Sequence, residues 1–232
     1  MTEATIGRRW GILAPTISML LLAWATPDRV GGSDQAAAEP AKDKAVTYID
    51  LQPKANQKID ESFNKTIPKN HLAELKQGNQ TLEGLKFNIG EGVIRLAGKR
   101  LKDYLPEKVE GIEVNAKFAT LHILHATAYS VADGTVIAKY VVHYDDQATE
   151  TIEVVYGKDV RDWWAQDGDE EPTRGVVAWT GSNEAAYSYY RTLWLFSLTW
   201  KNPRPDKKVV TIDYVSTLTD AAPFVVAMTH TE

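Results

Sequence analysis

The sequence reads as an all-β protein, a two-sheet jelly-roll β-sandwich with long loops, on three observations. Short apolar runs alternate at period two rather than at the helical period. Turn-forming residues separate them at short spacing, which gives about ten strand candidates and favours a jelly roll over an up-and-down barrel. Proline respects the pattern: Pro203, Pro205 and Pro223 fall outside the runs, where a missing backbone donor costs no ladder hydrogen bond. The alternation is plainest in the closing block. Trp194, Phe196, Leu198 and Trp200 share one face, as do Val210, Ile212 and Tyr214, and then Phe224, Val226 and Met228.

Residues 1–25 have the layout of a signal peptide. Arg8 and Arg9 supply positive charge, Ile12 to Trp24 an apolar stretch, and Ala23-Trp24-Ala25 a cleavage site after Ala25. The apolar stretch is about 13 residues, short of the roughly 20 that span a bilayer, and Pro15 interrupts it. Membrane contact is therefore expected only through an uncleaved signal segment. Residues flanking Arg8-Arg9 fit a twin-arginine signal loosely. Residues 26–45 read as a disordered linker without aromatic residues or periodicity, and Ala36-Ala37-Ala38 offers a second cleavage site. The domain is expected over 46–232, a size that suits one all-β unit and buries a sizeable core.

Within it, Val46 to Leu51 predicts a first strand that Pro53 ends. Lys54 to Gly78 is polar and mixed, and reads as a long connection lying over the sandwich, with one helical turn at His71 to Lys76. Gly78-Asn79 is a turn signal. Thr81 to Ile89 and Val93 to Leu96 read as a hairpin about Gly90-Glu91-Gly92. Residues 97 to 111 form a charged loop, and a strand follows over Val109 to Val114. Lys117 to Tyr129 is apolar on both faces, as befits a central strand covered on both sides. Val136 to Tyr144 and Thr151 to Tyr156 follow, and turns at Asp133-Gly134 and Asp145-Asp146 predict a three-strand meander. Gly157 to Arg191 is irregular. There is no internal repeat.

The closing W-K-N-P-R-P-D-K-K-V-V-T-I-D-Y-V-S and A-A-P-F-V-V-A-M-T resemble the C-terminal part of galactose-binding-like jelly-roll modules of bacterial secreted proteins. Y-I-D-L-Q-P-K-A-N-Q, G-L-K-F-N-I-G, H-A-T-A-Y and V-V-Y-G-K-D-V-R-D-W-W extend the likeness over about residues 46 to 229. The resemblance implies the fold. It hosts sugar binding, protein contact and structural roles alike, and it carries no fixed binding motif onto this chain.

Composition excludes several classes. A net charge of -5 gives no basic footprint for nucleic acid. The absence of cysteine excludes disulfides, a thiolate zinc site and a cysteine nucleophile. No G-x-S-x-G, P-loop, H-E-x-x-H or G-x-G-x-x-G motif stands in its proper setting. His71, His122, His125, His143 and His230 show no metal spacing and read as structural or surface residues. The acidic run Asp167 to Glu171 is rich enough in oxygen for calcium but lacks a calcium-loop spacing, so no cofactor is expected.

The irregular region carries the chemistry. A pyranose ring packs its C–H face on an indole or phenol, and amides, carboxylates and guanidinium groups take its hydroxyls. Trp163, Trp164, Trp179, Tyr187, Tyr189 and Tyr190 supply the platforms, and Asp162, Asn183 and Arg191 the polar partners, with Arg161 and Glu184 beside them. The opposing expectation is that the Trp residues plug the ends of the sandwich. The leading function is non-catalytic binding of a polysaccharide or other glycan by a secreted or periplasmic protein. The alternatives are a protein-contact or structural module of the cell envelope, and a small glycan hydrolase using a carboxylate pair such as Asp162 with Glu184 or Glu110 with Glu113.

Overall fold

The computed structural model describes residues 45–232. The expected signal peptide and nearly all of the expected linker lie outside the described residues. In chain order the elements are β1 (Val46–Ile49), β2 (Gln57–Lys58), β3 (Gly78–Leu82), β4 (Leu85–Ile89), β5 (Gly92–Arg95), β6 (Lys108–Ala116), β7 (Thr120–Ala128) and β8 (Val136–Tyr144). They continue with β9 (Thr149–Val155), β10 (Trp164–Ala165), β11 (Val176–Gly181), α1 (Glu184–Ser188), β12 (Thr192–Lys201), β13 (Val209–Ser216) and β14 (Ala222–Thr231).

The architecture is all-β and sandwich-like. The larger sheet runs β10-β12-β7-β14-β5-β2, with β1 also on β14 and β11 also on β12; the smaller runs β6-β13-β8-β9. Ladders between these strands are antiparallel. Across the gap, the His125 Nδ1 on β7 lies 3.2 Å from the Tyr140 hydroxyl on β8. Tyr140 stacks on Tyr214 of β13 at 4.5 Å. This fixes the inner face of the larger sheet. His125 sits opposite Phe196 and Val225 in the ladders, so Phe196, Leu198, Trp194 and Trp200 face inward by alternation.

The outer face is buried as well. Phe224 stands opposite both Ala126 and Arg95, one step out of phase with His125. Phe224 meets the edges of Phe63 and Trp163 at 5.4 and 5.5 Å. The long connection after β2 thus covers the sheet, which explains why β7 is apolar on both sides.

Five expectations need correction. The glycine hairpin lies one strand earlier: β3 pairs with β4 and Leu82 stands opposite Leu85. Its two-residue turn uses positive φ at Glu83 and Gly84, as the primed hairpin turns demand. Gly78, expected as a turn, opens β3. No helical turn forms at His71 to Lys76, where the chain bends back so that the Leu72 N–H bonds the Ile59 carbonyl at 2.9 Å. The three-strand meander does not form, because the chain leaves the larger sheet at Asp133-Gly134; only β8 and β9 pair. Finally, a register shift between Val209 and Thr211 buries Val209 in place of Val210.

Candidate functional site

The site is built by the irregular segment between β9 and β11. A buried clamp closes the base of this loop. The fully buried Asp159 carboxylate accepts from the Val155 N–H at 2.7 Å and from Arg174 Nε and Nη2 at 2.5 and 2.7 Å. A bidentate guanidinium–carboxylate pair sets geometry as well as energy. The backbone packs tightly here, since a Cβ on Gly175 would strike the Asp159 carbonyl.

From this base the chain enters the end of the larger sheet. Asp162 forms a parallel bridge with Thr127, and the Trp163 N–H bonds the Thr127 carbonyl at 2.8 Å. The Trp163 carbonyl in turn accepts from the Trp194 N–H at 2.8 Å. Arg161 is held by both oxygens of Asp133 at 3.0 and 2.9 Å, with Glu170 at 3.5 Å.

These anchors leave a polar cleft of about 310 Å³, lined by Tyr156, Arg161, Asp162, Trp164, Asp169 and Trp194 among others. Trp164 and Trp194 are both half-buried. The Asp162 carboxylate accepts from the Trp164 N–H at 3.1 Å. Loss of water around it raises its pKa to about 6 despite that hydrogen bond. A second pocket of about 130 Å³ adjoins the cleft through Asp162 and Trp164, and is walled by Phe63, Asn64, Asn70, Arg95 and Trp163.

The expected site residues divide. Asp162 and Trp164 line the cleft. Tyr189 borders it, its ring 5.5 Å from that of Trp164. Trp163 does not offer a platform: it is 3% exposed and stacks on Phe63 at 5.0 Å, so here the core reading of the indole holds. Asn183 is buried and occupied. It caps α1 by accepting from the Ala186 N–H at 2.7 Å and donates to the His71 carbonyl at 2.8 Å. Arg191 bonds the Gln166 side chain. Trp179 is half-buried on β11, against Gly181, and does not line the cleft. Tyr187 and Tyr190 are 78% and 93% exposed and lie outside it too. Glu184, one expected half of a carboxylate pair with Asp162, pairs with Lys69.

Period two assigns Trp194 only a strand face, although it is the first aromatic of an alternating run beside an irregular segment. Asn70 and Arg95 were missed. Asn70 accepts from Trp164 Nε1 at 3.1 Å, and no local pattern announces that. Among the described residues, no cluster of three or more His, Asp or Glu is placed to hold a metal ion. In the acidic loop, Asp169 instead closes its own turn by accepting from the Gln166 N–H at 2.9 Å.

A scan against protein families finds no match, and neither does a search of curated proteins.

Proposed function

We propose that this chain is a non-catalytic carbohydrate-binding protein of galactose-binding-like jelly-roll type, acting after export as a secreted or periplasmic module. The observation that carries the reading is the pairing of two half-buried indoles, Trp164 and Trp194, with Arg161, Asp162 and Asp169 in one solvent-open polar cleft. Indole faces suit the C–H surface of a sugar, and the charged groups suit its hydroxyls. The jelly-roll assignment is supported by the path of the chain. From β6 to β8, and again from β12 to β14, successive strands switch between the two sheets.

The test is a titration of intrinsic Trp fluorescence of the full chain against a panel of soluble polysaccharides. The reading expects a saturable shift with one glycan class. Trp164→Ala or Trp194→Ala is expected to weaken it about tenfold or more while leaving the unfolding transition cooperative, an effect of the size that stacking loss gives. No shift with any glycan would move the reading to a protein-contact module, for which the exposed Tyr187, Tyr189 and Tyr190 are the natural patch.

One observation favours glycan hydrolysis as a second reading. Asp162, with its raised pKa, shares the cleft with Asp169 and Glu170, and a carboxyl that holds its proton toward neutral pH suits a general acid. Release of new reducing ends from the bound glycan, lost in Asp162→Asn, would establish that reading. Their absence with tight binding retained would exclude it.

A further inference from the structure

The small pocket beside the cleft holds a cation that pairs with no carboxylate among the described residues. Arg95 is 7% exposed, yet it makes no ion pair among the described residues. Its guanidinium lies 4.6 Å over the Phe63 ring. One N–H donates to the Gln57 side-chain carbonyl at 3.0 Å; the remaining guanidinium donors make no hydrogen bond among the described residues. A buried charge is ordinarily matched by an opposite one, because desolvation is otherwise uncompensated.

The rest of the wall points to the same kind of ligand. Asn64 uses its side-chain oxygen on the Thr66 N–H and hydroxyl at 2.9 and 2.7 Å. Asn70 uses its own on Trp164 Nε1 and on Asn183 Nδ2 at 3.1 and 3.4 Å. Both side-chain NH₂ groups are without a hydrogen bond among the described residues. Arg95, Asn64 and Asn70 therefore present donors, and their acceptors are spent. Asp162, on the boundary with the cleft, is the one acidic side chain at the pocket.

We propose that this pocket is a carboxylate subsite, and that the glycan held in the adjoining cleft carries uronate residues. The proposal rests on the carbohydrate reading of the cleft. The volume of about 130 Å³ suits a carboxylate group, and the ring is assigned to the larger cleft with Trp164 between the two. A planar monoanion matches the guanidinium fork and its single charge. A phosphate dianion would leave a charge unmatched beside Asp162. Desolvation has already lowered the Arg95 pKa to about 10, as burial without a full counter-charge does, and an incoming carboxylate opposes that shift by its negative charge.

The experiment titrates the full chain with oligogalacturonate and oligoglucuronate, and with the same oligosaccharides after reduction of their carboxyl groups. Binding of at least one oligouronate is expected to exceed that of its reduced form by about tenfold or more. In Arg95→Met the preference disappears while binding of the reduced oligosaccharide is unchanged; in Arg95→Lys, which keeps the charge and loses the fork, the preference falls but persists. Equal affinity for acidic and reduced forms in the wild type would overturn the subsite and leave the cleft reading standing. Competition by sulfate or phosphate as strong as by free glucuronate would overturn the carboxylate assignment. If neither oligosaccharide binds, the cleft reading fails, and sodium glucuronate alone decides the subsite. A saturable change in Trp emission that Arg95→Met abolishes and Arg95→Lys weakens supports it, and no change, or one that Arg95→Met leaves intact, overturns it.

Discussion

Asp162→Asn tests whether the cleft desolvates its carboxyl as the geometry requires. The folded pKa of about 6 stands against an ordinary value of 3.8. That gap of roughly two units corresponds to about 3 kcal/mol between the charged and neutral forms. The carboxyl borders an open cleft, so water screens part of this, and about 1–3 kcal/mol is the realistic range. Because the folded pKa lies above the unfolded one, the contribution to stability is fully present below pH 3.8 and is lost as pH rises through about 6. Asparagine keeps the side-chain oxygen that accepts from the Trp164 N–H and cannot ionise. Urea unfolding of both proteins at pH 3.5, 5, 6 and 8 isolates the effect, since every other titration cancels in the difference. Relative to the wild type, the variant is expected to gain about 1–3 kcal/mol between the lowest and highest pH. In thermal unfolding that is about 2 to 12 °C for a domain of this size. A difference that is flat with pH, or that favours the wild type more at pH 8 than at pH 3.5, would refute the desolvation argument.

The buried imidazole of His125 has the opposite sign. Complete burial lowers its pKa to about 4, so its contribution is present above pH 6.5 and lost as pH falls toward 4, by about 3 kcal/mol. His125→Gln, which keeps a partner for the Tyr140 hydroxyl, is expected to lose less stability between pH 7 and pH 4 than the wild type does, read by the same unfolding titration. Asp159→Ala is expected to cost about 2–3 kcal/mol, because it orphans the Val155 N–H and frees Arg174. It should also abolish the glycan response in the fluorescence titration while the global transition stays cooperative, because the loop that carries Asp162 and Trp164 loses its base. Gly84→Ala places a Cβ at a φ of 75° in the β3–β4 turn and is expected to lower stability by about 1 kcal/mol, measured from the urea midpoint.

Alternation was a sound guide to where strands lie. The strands β6, β8, β9, β12, β13 and β14 lie close to their expected positions, because period two survives any choice of neighbour. What it could not give was pairing. The Asp133-Gly134 turn is real, with Gly134 at positive φ, yet the strands it joins belong to different sheets; a turn signal specifies a reversal, not a partner. The bulge at Val209 buries that residue in place of Val210 and leaves Ile212 and Tyr214 buried as alternation expects. In the site, Asp162 and Trp164 were readable because their residue types name their chemistry. Arg95 and Asn70 were not, since they reach the site through the β5–β14 ladder and through a long connection whose fold is set by contacts distant in sequence.

Trp163 and Trp164 show what decides between core and site in this chain. The residues are adjacent, with Trp163 at a bend and Trp164 opening β10, and both reach the small pocket. Hydrogen bonds from the Trp163 N–H to Thr127 and to its carbonyl from Trp194 hold its backbone on the larger sheet. One indole is then forced beneath the Phe63 and Phe224 rings, and the other is turned to the boundary between cleft and pocket. The Asp159–Arg174 clamp anchors the loop a few residues upstream of both indoles. Weakening the clamp should therefore erase the site before it erases the fold. Acrylamide quenching of Arg174→Ala reads this directly: the fraction of accessible Trp emission rises if Trp163 is released from beneath Phe63 and Phe224, and an unchanged fraction would show that the sheet bridge at Thr127 holds Trp163 without help.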